Sequence, residues 1–204
     1  MNISPKVVDL SHHNTVTDWH AVRAAGIRGI INKATEGAGF TDPTFTIRRT
    51  PATAAGLLFG GYHFLKPGDI AAQVDYFLAA TAPHDGLLLA VDHETPGVSL
   101  ADLKDFVTQF RLKVGRYPVL YSGFLIKEQL GTAHDALLAQ CPLWLSHYSN
   151  IPKWPPCWPS PWLWQFTGDG TGPLPHAVPG IAGTGIDIDS FAGTDDELSQ
   201  QWPA

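Results

Sequence analysis

The sequence predicts an α/β fold in which eight strands close into a barrel, with about five βα units followed by three strands lacking full helices. Three observations carry this expectation. Short apolar runs alternate with helix-period segments over the first two thirds of the chain. The last third changes rhythm: five of the seven tryptophans lie between Trp144 and Trp164, and nine of the seventeen prolines between Pro142 and Pro179. The length of 204 residues fits one domain and sits near the lower limit for such a barrel, which suits the missing helices. A flat doubly wound sheet is the alternative, and it would keep its helices to the end.

The elements follow in order. Val7-Val8-Asp9-Leu10 reads as a strand, and Asp18 to Ala25 as a helix ended by Gly26. Gly29 to Lys33 is the second strand. Asp42-Pro43 starts a helix, with Asp as cap and Pro at the first position, and Gly56 ends it. Leu57 to Phe64 is the third strand. Asp69 opens a helix with Ile70, Val74, Phe77 and Leu78 on one face. Gly86 to Val91 is a continuous apolar run, suited to a strand buried on both faces. Ser99 and Asp102 form a capping box, and Leu103, Phe106, Val107, Phe110 and Val114 recur behind it as a core stripe. Pro118 to Tyr121 is the fifth strand, and a helix follows from about Phe124. Leu143–Leu145, Trp162–Phe166 and Ile186–Ile188 are three strands with long loops between them. Together these make a modified TIM-like barrel.

Composition narrows the function. Hydrophobic residues at 44% and charged residues at 16% describe a globular chain, and no apolar stretch reaches the length of a membrane span. A net charge of -6 without a basic run argues against nucleic acid and anionic membranes as partners. The segment Met1 to Lys6 lacks a basic region followed by an apolar one, so no secretory signal is expected. Cys141 and Cys157 have no metal-ligand spacing and read as two free thiols rather than a bridge. There is no internal repeat.

In a βα barrel, chemistry gathers at the C-terminal ends of the strands. Those ends carry Asp9 and Ser11; Lys33, Thr35 and Glu36; Tyr62, His63 and Phe64; Asp92 and Glu94; Tyr121; Trp144, His147 and Tyr148; Gln165; Asp187 and Asp189. Carboxylates among flat aromatic surfaces suit a sugar, because aromatic faces stack on pyranose C–H faces and carboxylates do acid/base work on a glycosidic oxygen. No phosphate loop is present. The sharpest signal is Val91-Asp92-His93-Glu94. Residues two apart in a strand point the same way, about 6.6 Å apart. Asp92 and Glu94 therefore face the mouth, His93 faces away, and their mutual repulsion pushes one pKa up, as glycoside hydrolysis requires.

With these motifs in place, the chain resembles the family 25 glycoside hydrolases, the Chalaropsis-type lysozymes. The matching segments run in family order: Val8-Asp9-Leu10-Ser11 with Asn14, Asp18-Trp19, Ile31 to Gly37, Ala55-Gly56-Leu57, Gly60 to Phe64, Asp92-His93-Glu94, Leu143-Trp144 with Tyr148, Trp164-Gln165-Phe166, and Asp187-Ile188-Asp189 with Phe191. The resemblance implies a catalytic domain over residues 1–204; the family often carries a separate wall-binding module, and in departure from that pattern none is expected here. It implies an N-acetylmuramidase that hydrolyses, with retention, the β-1,4 bond between N-acetylmuramic acid and N-acetylglucosamine. Glu94 matches the proton donor. Asp92 matches the second carboxylate, either nucleophile or support for the substrate N-acetyl group. Asp9 and Asp187 match further cleft carboxylates. Tyr62, Phe64, Trp144, Tyr148 and Gln165 fall where the family holds its sugar, and Tyr121 joins them as a strand-end aromatic. The partner is a peptidoglycan glycan strand, acted on by a monomer without cofactor or metal. The place of action is the cell wall, reached as a phage lysis enzyme released from the host cytoplasm or by another route. His93 departs from the family pattern, where that position is usually apolar.

Several residues carry plainer readings. His12 and His13 are expected to be solvated or hydrogen-bonded, because neighbours on a strand do not aim at one metal. Lys33 stays open between pairing with a carboxylate and touching substrate. His63 is expected beneath the barrel end, Trp154 and Trp158 as loop packing, and Asp195, Asp196 and Glu197 as a solvated tail. Two other functions remain in play: a peptidoglycan-binding protein without turnover, and a hydrolase of chitin-like N-acetylglucosamine polymers.

Overall fold

The computed structural model describes residues 3–202; Met1 and Asn2, the start of the segment read for a secretory signal, lie outside them. Within the described residues the barrel strands are β1 (Pro5–Leu10), β2 (Gly29–Glu36), β4 (Leu58–Phe64), β5 (Leu88–Asp92), β6 (Val119–Ser122), β7 (Leu143–Ser146), β8 (Leu163–Thr167) and β9 (Asp187–Ser190). A two-residue strand, β3 (Phe40–Thr41), pairs with the end of β2 outside the ring. The helices are α1 (Trp19–Ala24), α2 (Pro43–Ala54), α3 (Ile70–Thr81), α4 (Leu100–Val114), α5 (Phe124–Leu130) and α6 (Asp195–Gln201). The expected caps form. Asp18, Asp42 and Asp69 accept backbone N–H groups at their helix starts, and Ser99 and Asp102 make a reciprocal capping box.

Period-two alternation sorts the strand side chains into two cores. Val7, Ile31, Leu88, Ala90, Val119, Trp144 and Leu163 point into the barrel. Val8, Leu10, Ile30, Leu89, Val91, Leu120, Leu143 and Leu145 point outward, where Phe45, Phe77, Phe106 and Phe110 of the helices cover them. His63 belongs to this outer layer, as expected. It is fully buried, stacks on Phe106 at 5.3 Å, and bonds Thr35 at 2.8 Å and Gln73 at 3.2 Å. Trp154 and Trp158 also pack, each giving its indole N–H to a backbone carbonyl, and both cysteines are free and buried.

Alternating βα units imply a parallel sheet, and two features differ from the sequence expectation. The sheet is not wholly parallel. β1, β2 and β4 to β8 run parallel, but β9 is antiparallel to both β8 and β1 and closes the ring between them. The connection from β8 to β9 contains no helix and stays at the mouth, so β9 starts at the end where β8 finishes and runs back beside it. Asp187 therefore stands at the start of its strand rather than the end, although still at the mouth. The second difference concerns the acidic tail. Asp195, Asp196 and Glu197 form the first turn of α6, capped reciprocally by Thr194 and Glu197. Asp195 pairs with Lys6 at 2.7 Å and with Arg28. This helix closes the bottom of the barrel with Leu198 and Trp202, both within the inner core. The Trp202 indole donates to the Phe59 carbonyl at 2.9 Å, and its ring lies so close to Gly29 that a Cβ there would be 2.5 Å away.

Trp202→Ala is expected to cost about 3–5 kcal/mol in urea unfolding, and Gly29→Ala to lower the melting temperature by pressing on the same ring. A loss below about 1 kcal/mol for Trp202→Ala would mean the barrel does not need this closure. A pH effect follows from His63. Burial lowers its pKa to about 4, whereas the unfolded chain takes up that proton near pH 6.5. Its stabilising contribution is thus present above about pH 6.5 and is lost, on the order of 3 kcal/mol, as pH falls through the folded value. His63→Gln should flatten this part of the stability curve.

Candidate active site

At the mouth of the barrel lies a cleft of about 230 Å³, and every one of the ten residues expected at the site lines it: Asp9, Tyr62, Phe64, Asp92, Glu94, Tyr121, Trp144, Tyr148, Gln165 and Asp187. A larger hollow of about 530 Å³ lies at the opposite end, between Pro142, Trp158 to Trp162 and α6. Its titratable side chains are Cys141, a buried thiol, and Glu197, which is occupied in capping α6.

The register explains the convergence. Asp9 on β1 sits directly opposite Asp187 on β9, so both face the interior. Phe64 is level with Asp92, and Asp92 with Tyr121. β5 ends at Asp92, and Glu94 follows in the turn beyond it, yet both line the cleft. His93 points away as expected. It is buried, and its Nε2 contacts the Gln129 side chain of α5 at 2.8 Å, while the His93 N–H donates to the Tyr121 carbonyl at 2.9 Å. These bonds fix the turn that carries Glu94.

The floor is a hydrogen-bonded chain. Tyr121 Oη–H donates to Gln165 Oε1 at 2.8 Å, Ser146 donates to the same oxygen at 3.2 Å, and Gln165 Nε2 then donates to Asp9 Oδ2 at 2.8 Å. Trp144 meets Tyr121 edge-on at 4.6 Å, and its indole donates to Asp189 at 2.6 Å. Trp144 and Gln165 are almost fully buried, so they support the floor rather than stand open as stacking platforms. Tyr62, Phe64 and Tyr148 are only partly buried and offer the more open surfaces.

Charge crowding sets the proton affinities. Burial, then Asp187 and Asp189, raise the Asp9 pKa well above the usual carboxylate range, against the opposing bond from Gln165. Burial and the neighbouring Glu94 raise Asp92 in the same way, and Asp92 Oδ1 has no partner among the described residues. Glu94 reaches solvent at the mouth, and partial enclosure still raises its pKa, with Asp169 adding to the effect. Burial and Asp169 push Asp187 up to about 7.

Four further residues line the cleft beyond those expected there: Ser11, His13, Lys33 and Asp169. Lys33 takes the pairing reading. It lines the cleft, pairs with Glu36 at 2.5 Å and lies 4.5 Å over the Phe64 ring. Asp169 was legible only as part of a Gly168-Asp169-Gly170 turn, and it adopts φ 50° there. His12 bonds Asp42 at 2.9 Å, the hydrogen-bonded state expected of it.

The family described as "Glycosyl hydrolases family 25" matches residues 8–173. The chain is 33% identical to N,O-diacetylmuramidase of Chalaropsis sp over 77% of this chain and 85% of that protein. It is 26% identical to lysozyme M1 of Streptomyces globisporus over 92% of this chain and 67% of that one. The solved structure of a muramidase from Trichobolus zukalii superposes with a TM-score of 0.80 at 31% identity, covering 98% of each chain.

A carbon-13 titration of the Asp187 carboxyl should give a midpoint near 7, and Asp169→Asn should lower it by removing a neighbouring charge. A midpoint in the ordinary solvated range, near 4, would remove Asp187 from the coupled carboxyl group.

Proposed function

The chain belongs to glycosyl hydrolases family 25, and from that premise we propose a muramidase that cuts the β-1,4 bond between N-acetylmuramic acid and N-acetylglucosamine in peptidoglycan with retention, using Glu94 as the acid and Asp92 as the second carboxylate. The observation that supports this reading best is the meeting, in one cleft, of two adjacent carboxylates with raised pKa values and a wall of aromatic rings.

Glu94 keeps its proton above the usual carboxylate range, which suits it to protonate the glycosidic oxygen as the bond breaks. Asp92 has an unpartnered oxygen. It either attacks the anomeric carbon or orients the substrate N-acetyl oxygen to do so. Both routes pass through an intermediate that water opens on the same face, with Glu94, now deprotonated, acting as base, and both retain configuration. Asp187 lies across the floor opposite Asp9, and where it is ionised, above about pH 7, its negative charge favours the positive charge that develops on the sugar ring. Gln165 and Tyr121 hold Asp9 in place. Tyr62, Phe64 and Tyr148 offer faces for the sugars, with Trp144 bracing Tyr121 and Tyr62 from below. The barrel of residues 3–202 serves as the catalytic unit, acting where its substrate lies, in the cell wall.

Purified peptidoglycan digested with the protein, reduced with borohydride and read by mass spectrometry should give reduced muramic acid ends. Glu94→Gln should lower kcat by about 10²–10⁴-fold with its melting temperature unchanged. Reduced glucosamine ends would reassign the bond, and no ends at all would leave a sugar-binding protein in place of an enzyme.

A further inference from the structure

One bank of the cleft, at the ends of β6 and β7, gathers cationic and apolar side chains that the hydrolysis does not use. Of the seven lysines in the chain, Lys6, Lys33, Lys66, Lys104 and Lys113 form ion pairs. Among the described residues Lys127 and Lys153 form none, and both act on the same imidazole. After burial, their two charges are the next causes that lower the His147 pKa. The surroundings are contiguous. Gly123, just before α5, seats so closely on β7 that a Cβ there would lie 2.9 Å from the Ser146 carbonyl oxygen. The Ser149 hydroxyl lies 3.2 Å from His147 Nδ1, donates to the Ile151 carbonyl at 2.6 Å and accepts the Ile151 N–H at 3.1 Å, which folds Ile151 back beside His147. Tyr148, in the middle of this turn, lines the cleft. Two large apolar side chains stand in solvent here, Phe124 at 78% exposure and Ile151 at 71%.

The opposite bank differs. Its lysines, Lys33 and Lys66, are both paired with Glu36. Unpaired cations on one bank only, beside a cleft lined by five carboxylates in a chain of net charge -6, are not what a neutral sugar calls for. Sugar rings present hydroxyls and C–H faces. The anionic part of peptidoglycan is the short peptide on the lactyl group of muramic acid, which carries carboxylates together with small alkyl side chains and projects from the strand beside the bound sugar. A phosphodiester wall polymer would match the cations but would leave Phe124 and Ile151 without a counterpart.

We propose that the β6–β7 bank is a docking surface for this acidic stem peptide, with Lys127 and Lys153 meeting its carboxylates and Phe124 and Ile151 its alkyl groups. The proposal rests on the muramidase reading and adds a substrate determinant outside the sugar subsites. It makes the enzyme sensitive to the charge of the peptide as well as to the glycan.

The test uses soluble stem-bearing glycan strands free of phosphodiester polymers, either native or with their carboxylates converted to amides by carbodiimide and ammonia. The parent protein should have kcat/KM about fivefold to tenfold higher on native strands, mostly through KM, with the gap narrowing as salt rises. The double variant Lys127→Ser, Lys153→Ser should bring the native-to-amidated ratio close to one. Phe124→Ser with Ile151→Ser should instead lower kcat/KM on both substrates and keep the ratio. A parent without preference, or a double lysine variant that keeps the parent ratio, overturns the proposal. A preference that appears only on walls carrying phosphodiester polymer assigns the bank to that polymer and also overturns it. A parent that hydrolyses neither strand preparation overturns the muramidase reading itself, a result distinct from the other three.

Discussion

The site depends on the seam where β9 runs antiparallel against β1 and closes the barrel. An antiparallel pairing places residues directly opposite one another, and here it sets Asp9 against Asp187. Both carboxyls are turned inward by the same pleat that turns Val7 inward one layer below. Once that seam is set, the rest of the floor follows. Asp9 is held by Gln165, Gln165 by Tyr121 and Ser146, and Tyr121 by the edge of Trp144. A slip of β9 by one residue at the seam would turn Asp187 and Asp189 out of the barrel and leave the Trp144 indole without its acceptor.

This arrangement opposes folding and serves chemistry. Asp9, Asp92, Asp187 and Asp189 are carboxyls withdrawn from water, and each has its proton affinity raised first by that withdrawal. Two buried oxygens, on Asp92 and Asp189, have no hydrogen-bond partner among the described residues. Such groups are costly in an interior unless satisfied or neutral. The apolar layers on both sides of the sheet and the closure by Trp202 below supply the stability against which that cost is set.

Much of this was legible in the sequence because strand alternation is a local property. Val7-Val8-Asp9-Leu10 and Leu163-Trp164-Gln165-Phe166 state on their own which side chains share a face. That suffices to bring eight of the ten expected residues to one cleft, while Glu94 and Tyr148 reach it from just beyond the ends of β5 and β7. Strand direction is not local, and nothing in Ile186-Asp187-Ile188 says that it runs antiparallel. Asp169 escaped for another reason: it lies on a turn after β8 rather than at a strand end. The reading of residues 195–197 as a solvated tail holds for solvation, since Asp196 and Glu197 are exposed, but misses the helix, although Thr194 and Glu197 form a capping box and Leu198 and Trp202 share a helical face. The degree of burial was equally out of reach. Trp144 and Gln165 are where the site needs them, but as supports beneath the floor.

The seam and the closure below it also govern when the molecule becomes active during its synthesis. Asp187 completes the carboxyl pair with Asp9, Lys6 pairs with Asp195, and Trp202 packs on Gly29, so the start and the far end of the described chain meet. A ribosome that has delivered everything up to Gly185 has made seven of the barrel strands, with an open edge and a floor lacking Asp187. Such long-range contacts form late. A nascent chain therefore carries no complete cleft, and the cell making this enzyme meets the finished hydrolase only after residues 187–202 have left the exit tunnel.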